Sequence, residues 1–303
     1  MSVDSYVRTS DHRAAGFSPA ARLDANSDLL MLVETLMHNL VGTGTGSAAQ
    51  QAALTHLQAG GGRFRARLAI DAGLALELEA NQIIAVASAV ELLHNASLIH
   101  DDLQDRDTLR RDAPAVWAAF GDAVAICAGD LLLSASYAAL AGAGTRVSDL
   151  MTLLHQRVRA LIAGQDADLA ASQNHVNLDD YENIAAGKSG PLLALPLELA
   201  LRLANCSAHA PIAVACGRHF ALGYQMFDDL RDVGGDREKA SLNAVLVMES
   251  LGSDQPELDV AMHADRHFRT SAVLASQLPM NCGRLLAGTA KRLSQRLPHK
   301  EKA

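Results

Sequence analysis

The chain has 303 residues, 49% hydrophobic and 20% charged, which suits a soluble globular protein with a large core built as one large domain or two smaller ones. A formal net charge of −8 speaks against a general attraction to nucleic acid or to an anionic membrane surface, so an anionic substrate must be held locally. Cys127, Cys206, Cys216 and Cys282 are scattered, with no C-x-x-C pair, and read as reduced core residues of a cytoplasmic protein.

Residues 1–25 mix Asp, Arg, Ser and Gly without a continuous apolar stretch, and read as a flexible N-terminal arm without a secretory signal. From residue 26 to 303, Ala and Leu dominate and no clean strand alternation occurs. The expected fold is therefore all-α, a single helical bundle with functional groups projecting inward. Glycine-rich or polar breaks fall at 41–47, 59–62, 141–145, 174–180, 205–211 and 252–256. The first functional signal is the helical run Glu91 to His100, whose face carries His94 and Ser97 and ends in Asp101-Asp102-Leu103-Gln104-Asp105. Two adjacent arginines, Arg110 and Arg111, follow. The most apolar stretches, 123–143 and 192–204, carry Gly129 and Asp130, and Pro196 and Glu198, and so read as buried helices with no transmembrane segment. A second acidic cluster, Asp228-Asp229-Leu230-Arg231-Asp232, repeats the D-D-x-x-D pattern.

On a helix the first and last Asp of each cluster lie one turn apart on one face and can hold the same ion. Two such faces without cations would suffer strong repulsion and desolvation. Hard oxygen ligands point to Mg²⁺, which binds through one or two carboxylates together with substrate phosphates. Arginine forks next to Mg²⁺ ligands suit a diphosphate. Taken singly, His94 would pass for a core histidine, and Trp117 and Phe120 for packing residues.

From about Gly60 to Asp236 the order E-L-L-H-x-x-S-L-I-H-D-D-x-x-D, R-R-x-x-P, G-Q-x-x-D, G-K-S and Y-Q-x-F-D-D-x-x-D resembles the trans-isoprenyl diphosphate synthases. The resemblance implies an all-helical prenyltransferase that extends an allylic diphosphate (dimethylallyl, geranyl or farnesyl) with isopentenyl diphosphate. It further implies three Mg²⁺ ions with bound diphosphate, and a homodimer. Asp101, Asp105 and Asp228 would be the principal Mg²⁺ ligands, with Asp102, Asp229 and Asp232 in support. Arg110, Lys188 and Gln225 would contact the allylic diphosphate, with Ser189 where the family often has Thr. Arg65, His94 and Arg111 would hold isopentenyl diphosphate, and Gln165 and Asp168 match polar positions on another cavity-lining helix.

Two departures stand out. Where the family has G-G-K-R-x-R, this chain has Gly60-Gly61-Gly62-Arg63-Phe64-Arg65, so Gly62 replaces a lysine that Arg63 or Arg67 would have to stand in for. After Asp232, Lys239 is the candidate for a missing basic group. Product length in this family depends on the residues four and five before the first Asp. Here they are Ser97 and Ala96, small enough to favour a C20 product, geranylgeranyl diphosphate, over C15, with longer chains as the main rival. A class I terpene cyclase and a non-catalytic synthase subunit are the competing readings.

Overall fold

The computed structural model describes residues 19–42, 46–171, 176–239 and 241–298, with side chains from Asn26 onward. Residues 1–18 of the expected arm lie outside the described residues, whereas 19–25 form the first turns of a helix. The chain divides into two compact units, residues 1–152 with 202–204, and residues 153–201 with 205–303.

The first unit contains α1 (Pro19–Gly42), α2 (Ala48–Gln58), α3 (Phe64–Ala75), α4 (Ala80–Asp105), a hairpin of β1 (Leu109–Arg110) and β2 (Ala113–Pro114), α5 (Val116–Phe120), α6 (Asp122–Ala139) and the start of α7 (Val147–Ala171). This hairpin is the only sheet among the described residues, so the all-α expectation holds. Helix α4 is its axis. Residues 85–93 are all buried, so α4 is covered on every side, by α6, α3 and α1. It starts in a capping box, with the Glu79 and Gln82 side chains each meeting the other's backbone. It stops at Arg106, whose left-handed conformation (φ 58°) closes the last turn. Gly129 of α6 lets the ring of His100 lie directly against the α6 backbone, because a Cβ there would overlap the imidazole.

The second unit holds the rest of α7, α8 (Leu178–Leu203) as far as residue 201, α9 (Ala210–Lys239), α10 (Ala244–Ser250), α11 (Pro256–Ser276) and α12 (Arg284–Ser294). Helix α9 packs on α11, with Phe268 filling the space left by Gly223. Helix α8 contains Pro191 and Pro196, each of which removes one N–H from the helix ladder. The carbonyl left without its Pro191 partner is that of Gly187, and there Gly164 of α7 crosses so closely that a Cβ on Gly164 would overlap the Gly187 carbonyl. A part-buried ion pair joins α7 to α8 nearby, Arg157 Nε standing 2.6 Å from the buried Glu198 at Oε2.

One expectation about the cysteines is corrected. Cys216 and Cys282 are buried, but Cys127 is exposed and Cys206 is intermediate. The inner face of α6 is taken by Ala125, Ala128, Gly129 and Leu132, which turns Cys127 outward beside Ile126. Three stretches, residues 80–105, 122–171 and 178–203, are long and apolar enough to cross a membrane by length and composition. The most apolar windows of the first and third are 72% buried within the protein, and that of the second only 44%.

Candidate active site

In the first unit the acidic cluster and the arginine pair are joined by a tight excursion. Asp101, Asp102 and Asp105 occupy the last two turns of α4. The hairpin after it pairs Leu109 with Pro114 and Arg110 with Ala113, leaving Arg111 and Asp112 as a two-residue turn. Both have positive φ, 56° and 61°, as a type I′ turn requires. Arg110 thereby reaches back to Asp102, its Nε 2.8 Å from Oδ1, with Nη2 on the same oxygen. Asp102 is only 1% exposed; burial lifts its pKa above the ordinary carboxylate value against the pull of Arg110, and its Oδ2 has no hydrogen-bond partner. Arg111 turns the other way and donates to the Gly60 carbonyl.

The glycine loop before α3 is shaped around that guanidinium. Gly61, at φ 125°, would place a Cβ 2.6 Å from Arg111 Cζ. Arg63, expected among the phosphate contacts, is instead 6% exposed and turned inward. It binds Glu34 through Nε (2.5 Å) and Nη2 (3.2 Å), the carbonyl of Leu57 (2.7 Å) and that of Gly60 (3.3 Å), with Glu91 at 3.8 Å. Arg67 is exposed and donates to the Gly62 carbonyl at 3.1 Å. His94 is held neutral: burial first, then the charges of Arg65 and Arg111, push its pKa well below the usual value. Its Nδ1 is buried without a hydrogen-bond partner. Ala96 is 2% exposed, while Ser97 is half-buried with its hydroxyl on the His94 carbonyl.

In the second unit Asp228, Asp229 and Asp232 lie on α9. Here too the middle residue is turned into the protein. Asp229 is 2% exposed and accepts from the Tyr181 hydroxyl (2.7 Å), Gln225 Nε2 (2.9 Å) and the Ala244 N–H at the start of α10 (2.7 Å). Asn243 caps α10 and ties it to α9, donating to the Asp229 carbonyl (3.0 Å) and to Asp236 (2.8 Å). Asp228 is lifted to about 6 by burial and then by the charge of Asp232 one turn away, and burial lifts Asp229 to about 6 as well. Lys188 Nζ is 2.6 Å from Asp168 Oδ2, a pairing set by the glycine crossing of α7 and α8. Ser189 is half-buried beside it, Gln165 is buried one helical turn before Asp168, and Lys239 is exposed at the last residue of α9.

Among the described residues no three His, Cys, Asp or Glu side chains form a metal-holding group. The reason is visible in each unit: Asp102 is turned to Arg110 and Asp229 to Tyr181 and Gln225, which leaves Asp101 with Asp105 and Asp228 with Asp232 as carboxylate pairs. The donor set still fits a hard divalent ion. Asp228 is burdened by burial and by the like charge of Asp232, Asp102 Oδ2 is an orphaned buried oxygen, and every candidate ligand is an oxygen.

Sequence reasoning missed the residues that hold these groups in place. Tyr181, Asn243 and Glu34 carry no motif, and only the S-L-N helix-cap pattern before α10 could have flagged one of them, while Glu91 opens the E-L-L-H run without any sign that it holds Asn95 and the Ala66 N–H.

A profile described as polyprenyl synthetase matches residues 47–244. The (2E,6E)-farnesyl diphosphate synthase of Mycobacterium tuberculosis (strain ATCC 25618 / H37Rv) is 39% identical over 181 residues, 59% of this chain and 50% of that protein. The chain thus matches about half the length of that relative. The geranylgeranyl diphosphate synthase of the same strain is 32% identical over 227 residues, 69% of this chain and 65% of that protein. A decaprenyl diphosphate synthase structure from Rhodobacter capsulatus superposes with a TM-score of 0.83 at 19% identity, covering 93% of this chain and 100% of that one, a likeness of fold. With the family profile spanning well over half of its residues, across both acidic clusters, the chain belongs to the polyprenyl synthetase family.

Proposed function

We propose that the protein is a trans-prenyltransferase that joins isopentenyl diphosphate to an allylic diphosphate and releases geranylgeranyl diphosphate. The observation that carries this reading is the repeated wiring of the two clusters. In each, the second aspartate is buried and hydrogen-bonded, which fixes the rotation of the helix there and leaves the first and last aspartates one turn apart. Asp101 with Asp105, and Asp228 with Asp232, would hold Mg²⁺, and the reaction needs both pairs. Bound there, Mg²⁺ supplies the charge neutralisation that lets the allylic C–O bond ionise.

The chain's own groups do the rest. Arg110 and Lys188 take the oxygens of the allylic diphosphate, exchanging their present carboxylate partners for substrate. Gln225 orients Asp229 and, with Tyr181, keeps α9 in register. Arg65, His94 and Arg111 hold isopentenyl diphosphate while its double bond attacks the allylic cation, after which the diphosphate released from the allylic substrate takes the proton that the new prenyl chain loses. The relatives carry names for both C15 and C20 products. The small pair Ala96 and Ser97 favours C20. A homodimer belongs to the same reading, and the 49% exposure of Ile126 on α6 is in keeping with it.

The test is turnover with Mg²⁺, labelled isopentenyl diphosphate and, separately, dimethylallyl, geranyl or farnesyl diphosphate, read by mass spectrometry after dephosphorylation. A C20 alcohol is the expected product. No incorporation from any starter overturns the activity, and a C15 alcohol, or one longer than C20, overturns only the chain length.

A further inference from the structure

We propose that His56 takes over the task of the lysine that Gly62 lacks, donating a hydrogen bond from its imidazole to the diphosphate of isopentenyl diphosphate beside Arg111. The assignment rests on the substrate reading given above. It starts from a deficit. Gly62 has no side chain, and the two arginines that could replace a lysine there are committed elsewhere: Arg63 to Glu34, Leu57 and Gly60, and Arg67 to the Gly62 carbonyl from an exposed position.

His56 sits in the last turn of α2, 6% exposed. It lines a cavity of about 240 Å³ within the first unit together with Arg110 and Arg111 of the hairpin turn, against an apolar wall that includes Val116 and Phe120. Its Nε2 is buried with no hydrogen-bond partner. Asn95 lies close enough to favour the protonated ring, yet Asn95 Oδ1 is itself unpartnered, so the two do not satisfy each other. A buried donor or acceptor without a partner costs stability, on the order of 1–3 kcal/mol, and in a native site it calls for a reason. An oxyanion entering this cavity against Arg111 supplies one. Burial and the charges of Arg111 and Arg110 keep the ring neutral, with a pKa of about 4, so near pH 7 it carries one N–H and adds no charge to a wall that already holds two guanidinium groups. His94 is likewise kept neutral, chiefly by burial and then by Arg65 and Arg111.

The experiment measures KM separately for isopentenyl and allylic diphosphate, with kcat, for wild type, His56→Ala, His56→Gln and the double variant His56→Ala/Gly62→Lys. Calorimetric binding of isopentenyl diphosphate to the unreacted protein runs alongside, and thermal unfolding establishes that each variant is folded. His56→Ala is expected to raise KM and Kd for isopentenyl diphosphate about tenfold or more, with KM for the allylic substrate within about twofold. Lysine at position 62, where a Cβ meets nothing within 4 Å, is expected to restore both constants. His56→Gln keeps a donor and should lie between. An unchanged Kd for isopentenyl diphosphate, an equal rise in both KM values, or no rescue by lysine overturns the assignment. A wild-type protein that binds isopentenyl diphosphate but condenses it with no starter sinks the proposed activity instead, and the calorimetric comparison still decides the role of His56.

Discussion

The guanidinium of Arg111 occupies the space that a side chain at residue 61 would need, Gly61 and Arg111 being fitted so closely that a Cβ would stand 2.6 Å from Cζ. Gly61 also has φ 125°, which an L residue rarely adopts. Gly61→Ala is therefore expected to push Arg111 off the Gly60 carbonyl and to strain the loop. KM for isopentenyl diphosphate should rise about tenfold, with a modest fall in melting temperature. Steady-state kinetics with the allylic substrate saturating checks it, and an unaltered KM would separate Arg111 from that substrate.

The crossing of α7 and α8 has no room for a methyl group. Gly164→Ala must move Gly187 backbone, so it is expected to cost about 1–3 kcal/mol in denaturant unfolding. Lys188 and Asp168 sit on either side of that crossing, and kcat should fall with stability. Gly62→Ala, in open space, is the control and should leave both unchanged.

His56 gives the pH dependence its sign. Its folded pKa, about 4, lies below the unfolded value of 6.5. Between those values the unfolded chain binds more protons, so stability is fully present above about pH 6.5 and is lost as pH falls toward 4. The contribution is up to about 3 kcal/mol for a shift of this size. Unfolding of wild type and His56→Gln in urea across pH 4–7 should show the difference between them shrinking as the pH falls. A constant difference would mean that the ring is not held neutral by burial.

Chain length is expected to respond at Ser97 rather than Ala96. Ala96 is 2% exposed, so Ala96→Phe overpacks the core and should lower stability by about 1–3 kcal/mol. Ser97 retains open surface, and Ser97→Phe should shift the product from C20 toward C15. Mass spectrometry of the dephosphorylated products reads the outcome, and an unchanged C20 product with Ser97→Phe removes that residue from the chain-length wall.

Both acidic clusters, the arginine pair and the helical class were legible in the sequence because each depends on local spacing: four residues for a helical face, two adjacent arginines, glycines at breaks. What was not legible depends on contacts far apart in the chain. Nothing near Arg63 announces that Glu34 will claim it, and nothing near Asp229 announces Tyr181, 48 residues earlier. The hairpin was missed because two-residue strands have no alternation to detect, and its turn is formed by Arg111 and Asp112 where Asn-Gly would have been the recognisable signal. Cys127 was misplaced because an apolar helix does not reveal from composition alone which face remains uncovered.

The stretch between Asp105 and Arg110 is pinned at both ends. The Asp107 N–H bonds to the Asp102 carbonyl at 3.0 Å, and the Ala115 N–H to the Thr108 carbonyl at 2.9 Å. Those four intervening residues behave as a ruler. Side-chain changes at the exposed Leu109 can be absorbed, but adding or deleting a single residue is expected to change which arginine faces Asp102 and which faces the glycine loop. Length, more than composition, is what divergence in this segment cannot alter.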